Sequence, residues 1–175
     1  MADRVERALQ LQRARLYGYA VSLTRDRESA QDLLQDCAVK ALSAPSVPSD
    51  DAALRAWLFR ILRNAWIDRL RRSRPEVAEV PESAAPSEYW SDDARLISTI
   101  AVRQAMERMP AAYRDIIALV DLCGFAYAEA AAILDVPVGT VMSRLSRARQ
   151  DLLERLADNN VRPLRANRRS EQKRR

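Results

Sequence analysis

The sequence predicts an all-α protein: two small helical domains joined by a flexible acidic linker and followed by a basic disordered tail. Three observations carry this. Glycine is scarce, with 3 residues in 175, while Ala, Leu and Arg are abundant, a composition that favours helix over sheet. Apolar residues recur at three- and four-residue spacing through every long segment, the period of a helix with one buried face. Between them, "SRPEVAEVPESAAPSEYWS" (Ser73–Ser91) holds three prolines and no periodicity, which reads as a linker. The resulting division is 1–74, a linker 75–91, a second domain 92–158 and a tail 159–175. Each half is about 70 residues, small for independent stability.

The elements follow in order. Val5–Thr24 forms a first helix, with Leu9, Leu16, Ala20 and Leu23 among its apolar positions. A second runs from about Ser29 to Leu42, where Ala30, Leu33, Leu34, Cys37 and Ala41 make a buried stripe that places Cys37 in the core. "SAPSVPSDD" ends it. Ser49 is the expected N-cap of the next helix, Ala52–Arg72, with Asp50 and Asp51 suiting the positive end of its dipole. In the second half Ser91 is another cap candidate. One helix reaches about Arg108 and stops before Pro110, and another, Ala111–Leu122, ends near Gly124, as a C-terminal cap requires. A short helix, Tyr127–Leu134, a turn and a long helix, Thr140 to about Ala157, complete the chain.

Composition narrows the chemistry. The chain has no histidine and two distant cysteines, Cys37 and Cys123. It cannot assemble a zinc site of the usual N and S ligands, it has no disulfide framework, and triads built on histidine are excluded. Neither a metal nor a cofactor is expected, and no enzyme activity. The N-terminus lacks an apolar signal core and no apolar run is long enough to span a bilayer, so the reading is a soluble cytoplasmic protein. The net charge of +5 is sorted into blocks. Residues 162–175 carry seven basic residues against Glu171, Leu54–Arg74 seven arginines against Asp68, and Pro75–Ser98 six acidic residues against Arg95. Such sorting points to several surfaces with different partners.

Two helices carry those partners. On Thr140–Leu156, Val141, Leu145, Ala148, Leu152 and Leu156 share one face, and Thr140, Ser143, Arg144 and Arg147 share another. The preceding helix offers Ala130, Ala131 and Ile133, mostly small side chains that permit close approach. Short helix, tight turn and second helix make a helix-turn-helix, whose second helix enters the major groove. There Arg pairs with guanine O6 and N7, and Ser or Thr with bases or phosphates. The competing reading is a solvated arginine face on a bundle helix. On Ala52–Arg72, Arg60, Arg63, Asn64, Ile67 and Arg71 fall on one arc, while Trp57, Leu58, Ile61, Leu62, Ala65 and Trp66 cover much of the rest. One helix would thus bury a wide apolar face and offer nucleic acid a basic one. Trp57 is expected in the core, and Trp66 either in the core or as a stacking platform for an unpaired base.

Three stretches resemble the extracytoplasmic-function class of bacterial sigma factors, of the sigma-70 family. "ESAQDLLQDCAVKAL" (Glu28–Leu42) is similar to their region 2.2, "RAWLFRILRNAWIDRLRR" (Arg55–Arg72) to regions 2.3 and 2.4, and Met106–Leu152 to region 4. The resemblance covers more than half the chain in the family's order. It implies a sigma-2-like domain that holds the β′ clamp helices of core RNA polymerase through Asp32, Gln35, Asp36 and Lys40. It also implies −10 recognition by Arg60, Arg63, Asn64 and Arg71, with the loop "SAPSVPSDDAA" capturing a flipped base. A sigma-4-like domain would read the −35 element with Thr140, Ser143, Arg144 and Arg147 and dock the β flap. The acidic linker would lie near the RNA exit path, and an anti-sigma factor would hold the free protein. The partners implied are therefore core polymerase, promoter DNA and an anti-sigma factor.

The chain departs from the family pattern at three places. Ala126 stands where Ser or Thr often caps the first helix of the motif, Asp135 where Gly often stands in the turn, and Met142 where Lys is frequent. The second functional reading is a stand-alone helix-turn-helix regulator that binds operator DNA without polymerase. It leaves the Arg55–Arg72 helix and region 2.2 without a role.

Overall fold

A computed structural model of the chain describes residues 2–72 and 93–158. The linker 75–91 and the tail after 158, with the expectations attached to them, lie outside the described residues, as does the Ser91 cap. Within the described residues the chain is α1 (Ala2–Thr24), α2 (Arg27–Leu42), α3 (Asp51–Arg72), α4 (Asp93–Glu107), α5 (Ala111–Ile117), a π-helical turn (Ala118–Leu122), α6 (Tyr127–Leu134) and α7 (Val138–Asp158). None of these helices is long and apolar enough to cross a membrane.

Local chemistry sets the helix ends. Arg25 adopts a left-handed conformation (φ 60°), and its N–H donates to the Val21 carbonyl at 2.8 Å, closing α1. Asp26 caps α2, its carboxylate accepting from the Ser29 N–H at 2.8 Å, and hydrogen bonds from the Ser29 N–H and hydroxyl hold the carboxyl below its usual range. The cap of α3 is Asp50, one residue beyond the expected Ser49: its carboxylate accepts from the Ala53 N–H at 2.7 Å. An ionised carboxylate meets the helix dipole better than a hydroxyl, and the register follows it. The helix expected over Ala111–Leu122 is present, but its last five residues form a wider π turn that ends on Gly124 at φ 72°.

α1, α2 and α3 bury Leu16, Tyr19, Ala20, Leu33, Cys37, Leu58, Phe59 and Leu62 between them. Trp57, expected in the core, is only partly buried and packs at its edge, as does Trp66. In the second half Ile116, Leu119, Phe125, Ala130, Ile133, Val141 and Leu145 close the core around α7. Sequence patterning treats the halves as separate bodies, yet in the structure their cores are continuous. α5 packs on α1, and α6 on α3. The Phe125 and Phe59 rings pack in a T-shaped pair, centroids 4.7 Å apart and planes at 77°, and Phe59 in turn lies 5.5 Å from Tyr19. Two domains each short of core gain by burying their exposed apolar edges against one another.

Candidate nucleic-acid and partner interfaces

The helix-turn-helix is built by α6 and α7. Ala126 has no side-chain oxygen to cap α6, but its backbone is extended (φ −64°, ψ 156°), and Glu129 reaches back to accept its N–H at 2.7 Å. One half of a capping box thus survives without the serine. Asp135 takes the left-handed conformation (φ 56°, ψ 52°) in which glycine is usual. Its short polar side chain tolerates that region better than most. The turn therefore forms, and the Val136 N–H closes it on the Ala131 carbonyl at 3.1 Å.

α7 then runs with Val141, Leu145 and Ala148 fully buried. On its other side Ser143 and Arg147 are exposed, and Thr140 and Arg144 half-buried. The four expected reading residues thus lie together on the outer face, with Met142 beside them, 54% exposed. Further along, Arg149 grips Asp121 of the π turn through two parallel bonds, Nε at 3.1 Å and Nη2 at 2.5 Å. That fork is a bidentate link between α7 and the π turn.

On α3, Arg60, Asn64 and Arg71 are exposed. Arg63, expected beside them, is half-buried, and its Nε donates to Asp115 Oδ2 of α5 at 3.0 Å. Its side chain is 21% exposed, that of Asp115 12%. The Tyr19 hydroxyl donates to the other oxygen of Asp115. Burial first, and then the Asp115 charge, push the Tyr19 phenol well above its ordinary value, so it remains a donor. On α2, Asp32 and Gln35 are exposed. Asp36 accepts from Arg69 Nε and Nη2 at 3.1 and 2.7 Å, and Lys40 lies 3.4 Å from Asp68. The expected polymerase-facing helix and the expected −10 helix are therefore joined near their C-terminal ends by two ion pairs.

Sequence reasoning missed the contacts between the halves. Arg114, 8% exposed, donates to the Ser22 carbonyl at 2.5 Å and the Met109 carbonyl at 3.1 Å. Burial lowers its pKa, yet three carbonyls, counting Met106 at 3.4 Å, solvate the guanidinium. Arg55 donates to the Cys123 carbonyl and lies over the Phe125 ring, its guanidinium carbon 4.0 Å from the centroid. The one sequence signal was the charged pair Arg114–Asp115 between Tyr113 and Ile116 in a short apolar helix. A buried helix tolerates such a pair only with partners, and the pattern does not name them.

A helix-turn-helix and a second arginine-rich helix on one chain define a transcription protein that meets DNA at two places. Residues 10–76 match the family model for sigma-70 region 2, and residues 99–152 that for sigma-70 region 4. The chain is 36% identical over 137 residues to the ECF RNA polymerase sigma factor SigM of Mycobacterium tuberculosis, covering 78% of this chain and 69% of that protein. It is 34% identical over 138 residues to the ECF RNA polymerase sigma factor EcfG of Rhodopseudomonas palustris, covering 78% and 76%. Among solved structures it is similar to the sigma factor RpoE of Bartonella quintana in complex with the anti-sigma factor NepR. There the TM-score is 0.70 and the identity 32%, over 88% of this chain and 97% of that one. CnrH in complex with the cytosolic domain of CnrY is similar at a TM-score of 0.61 and 26% identity, over 89% and 88%. The chain belongs to the ECF RNA polymerase sigma factors of the sigma-70 family, and it directs promoter-specific transcription initiation.

Proposed function

We propose that initiation is divided between the two helical faces, with the four α7 residues reading the −35 element and α3 engaging the −10 element. The observation that carries this is the division of α7: Val141, Leu145 and Ala148 are sealed in the core, while Thr140, Ser143, Arg144 and Arg147 form the outer face directly after the tight turn. In the major groove an Arg to guanine contributes about 1–3 kcal/mol of discrimination, and hydroxyls add base or phosphate contacts. Arg60, Asn64 and Arg71 hold the −10 strand and its phosphates, and Arg63 joins them. The loop over residues 43–53 takes the flipped base, whose unstacking, a few kcal/mol, is offset by contacts to the base. Asp32, Gln35, Asp36 and Lys40 meet the β′ clamp helices, and the second domain docks on the β flap.

The polymerase performs the catalysis, and this chain acts without an active site of its own, in the cytoplasm where polymerase and chromosome meet. Free protein is held by an anti-sigma factor; two structural relatives were solved in such complexes or with a cytosolic partner domain. The acidic linker lies near the RNA exit path. The decisive experiment adds purified protein to core enzyme and a random promoter library and sequences the transcribed templates. A −35/−10 motif among them is the expected result. No transcript from any template overturns the reading.

A further inference from the structure

Buried charges lie between the domains, not on either reading face. Asp115 of α5 is 9% exposed, with one oxygen on the Tyr19 hydroxyl and the other on Arg63 Nε at 3.0 Å. A carboxylate held against a guanidinium from a nucleic-acid-facing helix has the charge and the acceptor geometry of a backbone phosphate. Around it, Arg114 reaches across to Ser22 and Arg55 across to Cys123. The covering is one-sided: α7 packs on α4, α5 and α6, and its outer face stays open.

We propose that Asp115 is an internal phosphate mimic: it latches the second domain onto the first and withholds Arg63 from DNA until the chain opens. This rests on the reading of Arg63 as a −10 contact. Docking on the polymerase, which engages both domains, supplies the free energy to part them. Promoter phosphate then replaces Asp115 at Arg63. A free sigma factor so latched keeps one cation from the phosphates of the whole chromosome, where nonspecific sites are in vast excess.

The two cysteines report the latch in the full-length protein. Cys123 lies at the junction, 3% exposed, its Sγ 3.9 Å from the Arg15 carbonyl. Cys37 is sealed within the first domain, fully buried, and reports global unfolding. Asp115→Asn should raise the rate of Cys123 alkylation, read by peptide mass, about fivefold or more while leaving Cys37 unchanged. The same variant should steepen the salt dependence of binding to a fluorescein-labelled single-stranded oligonucleotide of mixed sequence, by about 0.7 in the log–log slope for one added phosphate contact. Arg63→Ala should raise Cys123 alkylation equally without steepening the slope. Wild-type alkylation at Cys123 in Asp115→Asn overturns the latch. Faster Cys123 alkylation with no change of slope overturns the proposal through the reading of Arg63, with the domain contact intact as a finding. If both thiols rise together the variant has unfolded, and Tyr19→Phe, which keeps the ring and removes the hydroxyl, decides on the same two readings.

Discussion

The Phe125 and Phe59 rings form a T-shaped pair, centroids 4.7 Å apart, and each belongs to a different domain. Phe59 is part of the first bundle's own core and is fully buried. Phe125 follows the π turn and Gly124, so its ring is delivered to the junction by a change in backbone geometry rather than by helix periodicity. The Arg55 guanidinium lies over the Phe125 ring, its carbon 4.0 Å from the centroid.

Phe125→Ala should therefore be among the most damaging single changes in the second domain. Removing a buried aromatic ring costs about 3–5 kcal/mol, here with loss of the edge-to-face pair and the cation–π contact. Urea unfolding followed by circular dichroism measures it, and a loss below about 1 kcal/mol would show that the junction contributes little to the fold.

Arg144→Ala should weaken −35 reading by about 1–3 kcal/mol and relax sequence preference at one position. Core polymerase binding should be unchanged, because Arg144 lies on the outer face of α7. Competition footprinting on wild-type and −35-substituted promoters separates the two; a matching fall in polymerase affinity counts against the assignment.

Asn64→Ala should slow promoter melting more than it slows association with polymerase, since Asn64 is exposed beside Arg60 on α3. Permanganate reactivity of unpaired thymines within the −10 element is the measurement. An unaltered footprint removes Asn64 from the melting surface.

Ala126→Ser should stabilise the second domain by about 1 kcal/mol. The backbone at 126 already has the extended geometry of an N-cap, and Ala126 is exposed, so the hydroxyl meets no neighbour it must displace. Thermal unfolding of the pair of proteins tests this; no gain would mean the Glu129 contact already meets the need.

Alkaline pH should loosen the fold in a defined window. Burial pushes the Cys37 thiol up to about 12 and the Cys123 thiol up to about 11, and burial also raises the Tyr19 phenol. Each group is raised in the folded state, so its contribution is complete below the unfolded value, about 8.5 for a thiol and 10 for a phenol. It is lost as pH rises through the folded value. Stability measured in urea should be level to about pH 8 and decline from about pH 9 upward. Cys37→Ala should flatten part of that decline, and an unchanged slope in that variant would exclude the thiol as a cause.

Much of the architecture could be read directly. Helix period, the prolines at 45 and 48, Gly124 and the acidic residues before helix starts locate every described element within a few residues. The outer face of α7 and, on α3, the exposed Arg60, Asn64 and Arg71 were legible for the same reason: one face of an amphipathic helix must be buried, so the opposite face is known. Asp135 was legible too, because few other residues accept its backbone conformation.

The sequence by itself determined helix content, the turn of the helix-turn-helix and the outer face of α7, since these follow from interactions within about four residues. Only the tertiary structure decided that the halves share a core, that Arg63 meets Asp115 rather than solvent, and that Tyr19, Arg55 and Arg114 bridge them. Those pairs lie 52 to 96 residues apart. No local periodicity encodes which of several similar arginines will meet which carboxylate. That choice is made by the shapes of two surfaces, fixed when Phe59 and Phe125 come into contact.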